Sequence, residues 1–392
     1  SDWSHGDAHF LRGVVTDLLA RGHEVQVYEP EDSWSRQTLV CDHGPAALEA
    51  FYDAYPNLRS RTYSRENLDM ERVAADSDVV VVHEWNEPWL VNGFGELRNR
   101  LQSGANHDLD FCLLFHDTHH RAVSDPSWLH RFRLDCYDGV LAFGEILTDL
   151  YRKHGWNQIV WTWHEAADTR VFYPRETNQE LPMGDVVWVG NWGDDERAGE
   201  LDEFLFQPVQ ELQLLTHVYG VRYPREVLQK LALEGIHYCG WLANFRVPEI
   251  FANHRAAVHV PRRYYAAALP GIPTIRPFEA MACGIPLVSA PWDDREGLFS
   301  PGEDYLVARD GAEGLSRAGG RSNEGRVNVD GISVGSAFNG AGVSSYIPEV
   351  GNAREVAMIA SGGLGEVEGG GPSINVVPRE GGNALRGSIY LA

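Results

Sequence analysis

The sequence predicts an α/β protein built from two doubly wound, parallel-sheet units. Three observations carry this. Apolar runs such as VVVV at 79–82 and DVVWV at 185–189 lack the alternation of a half-solvated strand, and so read as strands covered on both faces. Segments of helical period alternate with these runs along residues 1–313, as repeating βα units require. Polar residues bunch just after the strands, at 83–86 and 116–121, where open α/β sheets hold their ligands.

In chain order, the polar loop SDWSHGD (1–7) runs into an amphipathic helix over 8–20, with Asp7 as a candidate N-cap and Arg21 and Gly22 at its end. The strand HEVQVYEP (23–30) follows. Loop, helix and strand make a βαβ unit without its opening strand, which this reading places upstream of Ser1. Residues 38–71 are mixed and polar with helical stretches. A strand at 79–84, a helix over 88–102, a strand at 110–116 and a further strand leading into a helix at about Glu145 complete the first unit. Between 158 and 184 periodicity dissolves into prolines and polar residues, marking the link. The second unit opens with the strand at 185–189 and a small polar turn at 190–193, whose backbone amides suit a phosphate, with Arg197 adding charge. Helices within 201–216 and over 225–233 and 247–254 then alternate with strands at 236–240 and 256–263. The boundaries are 1–165, link 166–184, 185–313, and a tail 314–392.

The chain is organised around 270–292, PGIPTIRPFEAMACGIPLVSAPW. Residues 278–283 form a short helix, Gly284 stops it, and 286–290 is an apolar strand. A helix N-terminus opening onto a cleft suits a diphosphate; Arg276 adds a cation, and Glu279 can accept hydrogen bonds from a ribose or sugar diol. The same residues also read as an ordinary first-turn acid, solvated, with Arg276 as its surface partner. EAMACGIPLVSAP resembles the donor-binding motif of retaining GT-B glycosyltransferases, of the family-4 type and the spore-maturation-protein-like group, which carry an R-x-FEA-x-ACG string. One position departs: Gly271 stands where the family-4 pattern has its first Glu, so that residue's sugar contacts do not carry over.

This resemblance implies a GT-B fold, two Rossmann-like domains facing across a cleft, with the N-terminal strand and the C-terminal helices not in the sequence. RGHEV at 21–25 and the crossover-like HEAADTRVFYP fit it. It further implies metal-independent, retaining transfer of a sugar from a nucleotide-sugar donor to an acceptor hydroxyl on a glycan, a lipid-linked or a small molecule. The nucleotide sugar is then a substrate, and no cofactor or metal is expected. Arg276, Phe278, Glu279, Gly190, Asn191 and Arg197 fall on the donor side. Ser4, His5, Gly6 and Asp7 fall near the acceptor, though His5 and Asp7 also read as residues that merely cap and solubilise the helix. In the HDTHHR cluster the His-x-x-His-His spacing lacks the i, i+4 face that fixes two imidazoles on a metal. The resemblance instead points to His116 facing the acceptor or transferring sugar, oriented by Asp117. The D-L-D string at 108–110 precedes a strand and has no supporting context. A GT-B-like nucleotide-sugar epimerase is the alternative enzyme.

Composition sets the remaining bounds. With 392 residues, 43% of them hydrophobic, the chain can bury two or three cores. A formal charge of −23 with no basic stripe argues against a nucleic-acid surface. The five cysteines are scattered without C-x-x-C spacing and read as thiols in a reducing cytoplasm. Neither a membrane-spanning run nor a signal peptide is seen. All 12 tryptophans and all 16 histidines precede Gly314, after which glycine becomes dense and β-like runs replace helix periodicity. That tail, with its VDG and INVVPREGGN strings, resembles part of the plug domain of a TonB-dependent outer-membrane receptor. It implies a foreign segment, or, on a non-enzymatic reading of the chain, a receptor plug fragment; the plain alternative is a loose Gly-rich tail.

Overall fold

The computed structural model describes residues 6–102, 110–193, 195–272 and 274–308, together with strand segments at 326–329, 332–333, 353–359 and 373–378. Ser4, His5, the side chain of Asp7, Asp108 and most of the tail lie outside the described residues.

The fold is α/β with parallel sheets. In the first unit β1 (Val27–Pro30) pairs with β2 (Ser60–Tyr63), while β3 (Val79–His83), β4 (Cys112–Asp117), β5 (Gly139–Ala142) and β6 (Val160–Thr162) form a separate parallel set in that order. In the second, β7 (Gly184–Val189), β8 (Thr216–Tyr219), β9 (His237–Gly240), β10 (His254–His259), β11 (Leu287–Ser289) and β12 (Leu306–Val307) pair in the order β12-β11-β10-β7-β8-β9. β7 and β10 are central neighbours from which the chain winds outward in opposite directions, so the crevice at their carboxyl ends is the switch point of a doubly wound sheet. Val186 and Val187 of β7 are fully buried, as an apolar run between two layers of helices should be.

The first sheet departs from the expectation of burial on both faces. Val80 and Val82 of β3 are buried, but Val79 and Val81 are 53% and 49% exposed. Paired residues share a face, so Val79, Val81, His83, Cys112, Leu114, His116, Leu141 and Trp161 lie on one side and Val82, Phe115, Asp117 and Ala142 on the other. Helices Pro88–Gln102 and Glu145–His154 pack with the second set. The first helix, Asp7–Ala20, meets the other face near its carboxyl end, where Phe10 touches His116 and Trp163. Gly6 is its N-cap, so Asp7 is the first helical residue rather than the cap.

Nor is the second domain self-contained. Tyr265, Leu269 and Ile272, from the segment after β10, belong to the first domain's core. Gly144 lies so close to Ile272 that a Cβ would stand 2.3 Å from its side chain. In the other direction, helices Trp34–His43 and Pro45–Ala54 bring Leu39, Leu48 and Phe51 against Ala243, with Trp241 and Phe245 alongside.

Among the described tail residues, β13 (Arg326–Val329), β14 (Ile332–Ser333), β15 (Ala353–Ile359) and β16 (Ser373–Pro378) pair with one another in the order β14-β13-β16-β15. These segments are therefore strands of one sheet rather than loose coil. No helix among the described residues is long and apolar enough to cross a membrane.

Candidate active site

An open cavity of about 140 Å³ lies between the two domains. Its second-domain wall is made of strand ends: Gly190 and Asn191 after β7, Gly220 after β8, and Trp241 and Asn244 after β9. Arg276 joins the lining from the helix Ile275–Cys283, and Gly6 and His9 from the start of the first helix. The helix Ile275–Cys283 starts three residues earlier than the sequence suggested. Pro277 is accommodated in its first turn, where a missing N–H leaves no ladder bond unmade. Gly284, at φ 70°, ends it in the left-handed conformation.

Two glycines let the walls approach. A Cβ on Gly6 would stand 2.8 Å from Ile275, so only a glycine brings the first helix to the start of the donor-motif helix. Gly220, at φ 149°, lies where a Cβ would be 2.1 Å from the Gly190 carbonyl oxygen, and holds the β7 and β8 ends together. Arg197 braces the same wall, its guanidinium donating to the carbonyls of Asn191 and Val260 and lying over Trp188. Arg197 thereby shapes the loop carrying Asn191. Phe278 packs edge-on against Phe299, with ring centroids 4.9 Å apart.

Glu279 is not a surface acid. It is fully buried, with Oε2 accepting from Arg276 and Oε1 accepting from Asn244 Nδ2 at 3.1 Å. His9 Nδ1 lies 3.1 Å from the same Oε1 and also contacts Asn244 Nδ2. A first-domain residue thereby reaches the second domain's carboxylate. Burial lowers the His9 pKa to about 4, against the opposing pull of Glu279, so its imidazole is neutral near pH 7. Sequence reasoning missed His9, Asn244, Gly220 and Trp241. The last three follow strands, and the strand-end rule applied to the loops after β8 and β9 would have found them. His9 sits inside an amphipathic helix and carries no such signal.

His116 and Asp117 do not form a dyad. As neighbours on one strand they point to opposite faces. Asp117 accepts from the Tyr151 hydroxyl at 2.6 Å and from the His119 amide at 2.9 Å, which fixes the turn after β4. His116 is fully buried among Phe10, His83 and Trp163, and neither ring nitrogen has a hydrogen-bond partner among the described residues. Burial alone lowers its pKa to about 3. His120 stacks on Tyr264 of the second domain, centroids 4.6 Å apart, while His119 meets Trp85. Among the described residues no group of three His, Cys, Asp or Glu side chains is arranged to hold a metal ion.

Residues 197–324 match a family described as glycosyl transferase-like. The match includes the donor-motif helix and runs past the composition boundary at Gly314, and the plug resemblance of the tail finds no support. No curated protein matches the chain. Among solved structures, an alpha-glucosyltransferase in complex with UDP-glucose and DNA containing an abasic site is similar over 77% of this chain and 79% of that one, at 12% identity and a TM-score of 0.52. An alpha-glucosyltransferase in complex with UDP is similar over 74% and 77%, at 11% identity and a TM-score of 0.51. At these identities the likeness concerns the fold, which is that of GT-B glycosyltransferases. The matched segment is a glycosyltransferase-type domain, and the enzyme class it defines is glycosyltransferase.

Proposed function

We propose that the protein transfers a sugar from a uridine-diphosphate sugar to an acceptor hydroxyl, without a metal and with retention at the anomeric carbon. The observation that carries this reading is the interdomain cavity. Arg276, in the first turn of the helix Ile275–Cys283, lines it together with the close-set Gly190, Asn191 and Gly220, and a helix start suits an anion. The similar alpha-glucosyltransferases are described with UDP or UDP-glucose, which favours uridine in the donor. Arg276 and the helix amides offset the charge that develops on the departing diphosphate, the task a divalent cation performs in other transferases. The acceptor oxygen bonds to the anomeric carbon while the bond from that carbon to the phosphate oxygen breaks, its electron pair leaving with the phosphate.

Retention is supported by the donor-helix motif. The acceptor's proton passes to the phosphate oxygen that is leaving, which places attack and departure on one face of the sugar. Some similar enzymes are described with DNA, but a chain of charge −23 would repel a polyanion, so the reading favours a glycan, lipid-linked or small-molecule acceptor. Five unpaired thiols suit a cytoplasmic setting.

The test is turnover of UDP-glucose and related UDP-sugars against a panel of such acceptors, with UDP release and the anomeric configuration of the product both followed. UDP release that requires an acceptor and gives a product of unchanged configuration is expected. Release of altered free sugar without acceptor would identify an epimerase-type reaction instead, and an inverted product would refute retention.

A further inference from the structure

We infer that Asn244 reads the ribose of the donor nucleotide, its carboxamide oxygen accepting a hydrogen bond from a ribose hydroxyl. The inference rests on the nucleoside-diphosphate reading of the cavity and fixes which way round the nucleotide lies in it.

Asn244 begins the short 3-10 turn after β9 and is 4% exposed at the cavity wall. The two ends of its amide are in different situations. Nδ2 donates to Glu279 Oε1 at 3.1 Å and also meets His9 Nδ1. Paired with the Arg276 guanidinium, Glu279 is a carboxylate, which can only accept, so the amide must present its nitrogen there. The flipped amide would set two oxygens against each other. That orientation leaves Oδ1 on the far side, and Oδ1 is buried with no hydrogen-bond partner among the described residues. A buried acceptor held in one orientation and left unmade is costly to keep without a ligand that completes it.

The chemistry of the missing partner follows. Oδ1 needs a donor. The oxygens of a diphosphate near pH 7 offer none, whereas ribose hydroxyls do. The diphosphate therefore belongs at Arg276 and the helix start, and the nucleoside at Asn244. Trp241, from the same loop, then stands beside the nucleoside, its ring fixed from behind by stacking on His43 at 4.6 Å. His9 acts here as a positioning residue through its contacts with Asn244 Nδ2 and Glu279.

The experiment is calorimetric titration of the full chain with UDP and with 2′,3′-dideoxy-UDP, for the wild type, Asn244→Ala and Asn244→Ser. The serine variant is the smaller perturbation, and its hydroxyl stops short of the ligand, so it serves if the alanine variant does not fold. Both variants are expected to weaken UDP by about tenfold, the scale of one hydrogen bond made by an otherwise orphaned group. Their affinity for dideoxy-UDP should equal the wild type's, which also verifies that the site is folded. Equal weakening of both probes, or of neither, overturns the inference while leaving the nucleotide site standing. A wild-type protein that binds neither probe overturns the nucleotide reading itself, and this inference with it.

Discussion

Buried histidines tie single residues to the stability of the whole. His116 and His259 have pKa values lowered to about 3 and His9 to about 4, with burial as the leading cause in each. A histidine that titrates near 6.5 in the unfolded chain and near 3 when folded binds a proton only in the unfolded state between those values. Stability is therefore unaffected above pH 6.5 and falls as the pH drops below it, by about 1.4 kcal/mol per pH unit for each such histidine. His116→Phe should fit the aromatic surroundings of Phe10, His83 and Trp163. Urea unfolding at several pH values is expected to show a slope between pH 4 and 6 that is shallower by about that amount; a slope equal to the wild type's would mean that His116 is not held neutral by burial. Glu279 shows where residue-level reading from sequence stopped. Its place in the motif was legible, its burial was not, because burial comes from Asn244 and His9, which lie 35 and 270 positions away.

At the scale of elements, strands and helices were legible because their signals are local. The helices at 88–102 and 225–233 fall where periodicity put them, and the end of the donor-motif helix was marked by Gly284. What reaches across the cleft was not legible. The segment carrying Tyr265, Leu269 and Ile272 reads as a connection between strands of the second domain, yet its side chains finish the core of the first. The open face of β3 was also misread, since an all-valine run carries no record of which side its neighbours cover. The consequence is cooperative. Leu269 is fully buried, and Leu269→Ala should cost about 2–5 kcal/mol. Because it sits in the first domain's core on a second-domain segment, tryptophan fluorescence and circular dichroism are expected to report one shared, lowered melting transition. Two separate transitions, with the second domain unshifted, would show that the domains do not share that core.

For the whole molecule, the two-domain plan was readable from alternation of apolar runs and helices, and the function class from one helix–strand motif in the second sheet. The remainder depends on tertiary meeting points: Gly6 against Ile275, His9 against Glu279, and Trp241 between a second-domain strand end and a first-domain helix. The tail's strands pair among themselves, as its β-like runs suggested, but composition placed its boundary inside the segment that matches the glycosyl transferase-like family. If the interdomain cavity binds a nucleoside diphosphate through Arg276, calorimetric titration of UDP into the wild type and Arg276→Ala will show it. A charge-assisted contact of about 1.5–3 kcal/mol predicts at least a tenfold loss of affinity in the variant, with its melting profile recorded alongside to separate binding from folding. Undiminished UDP affinity in a folded Arg276→Ala protein would contradict the assignment of the cavity.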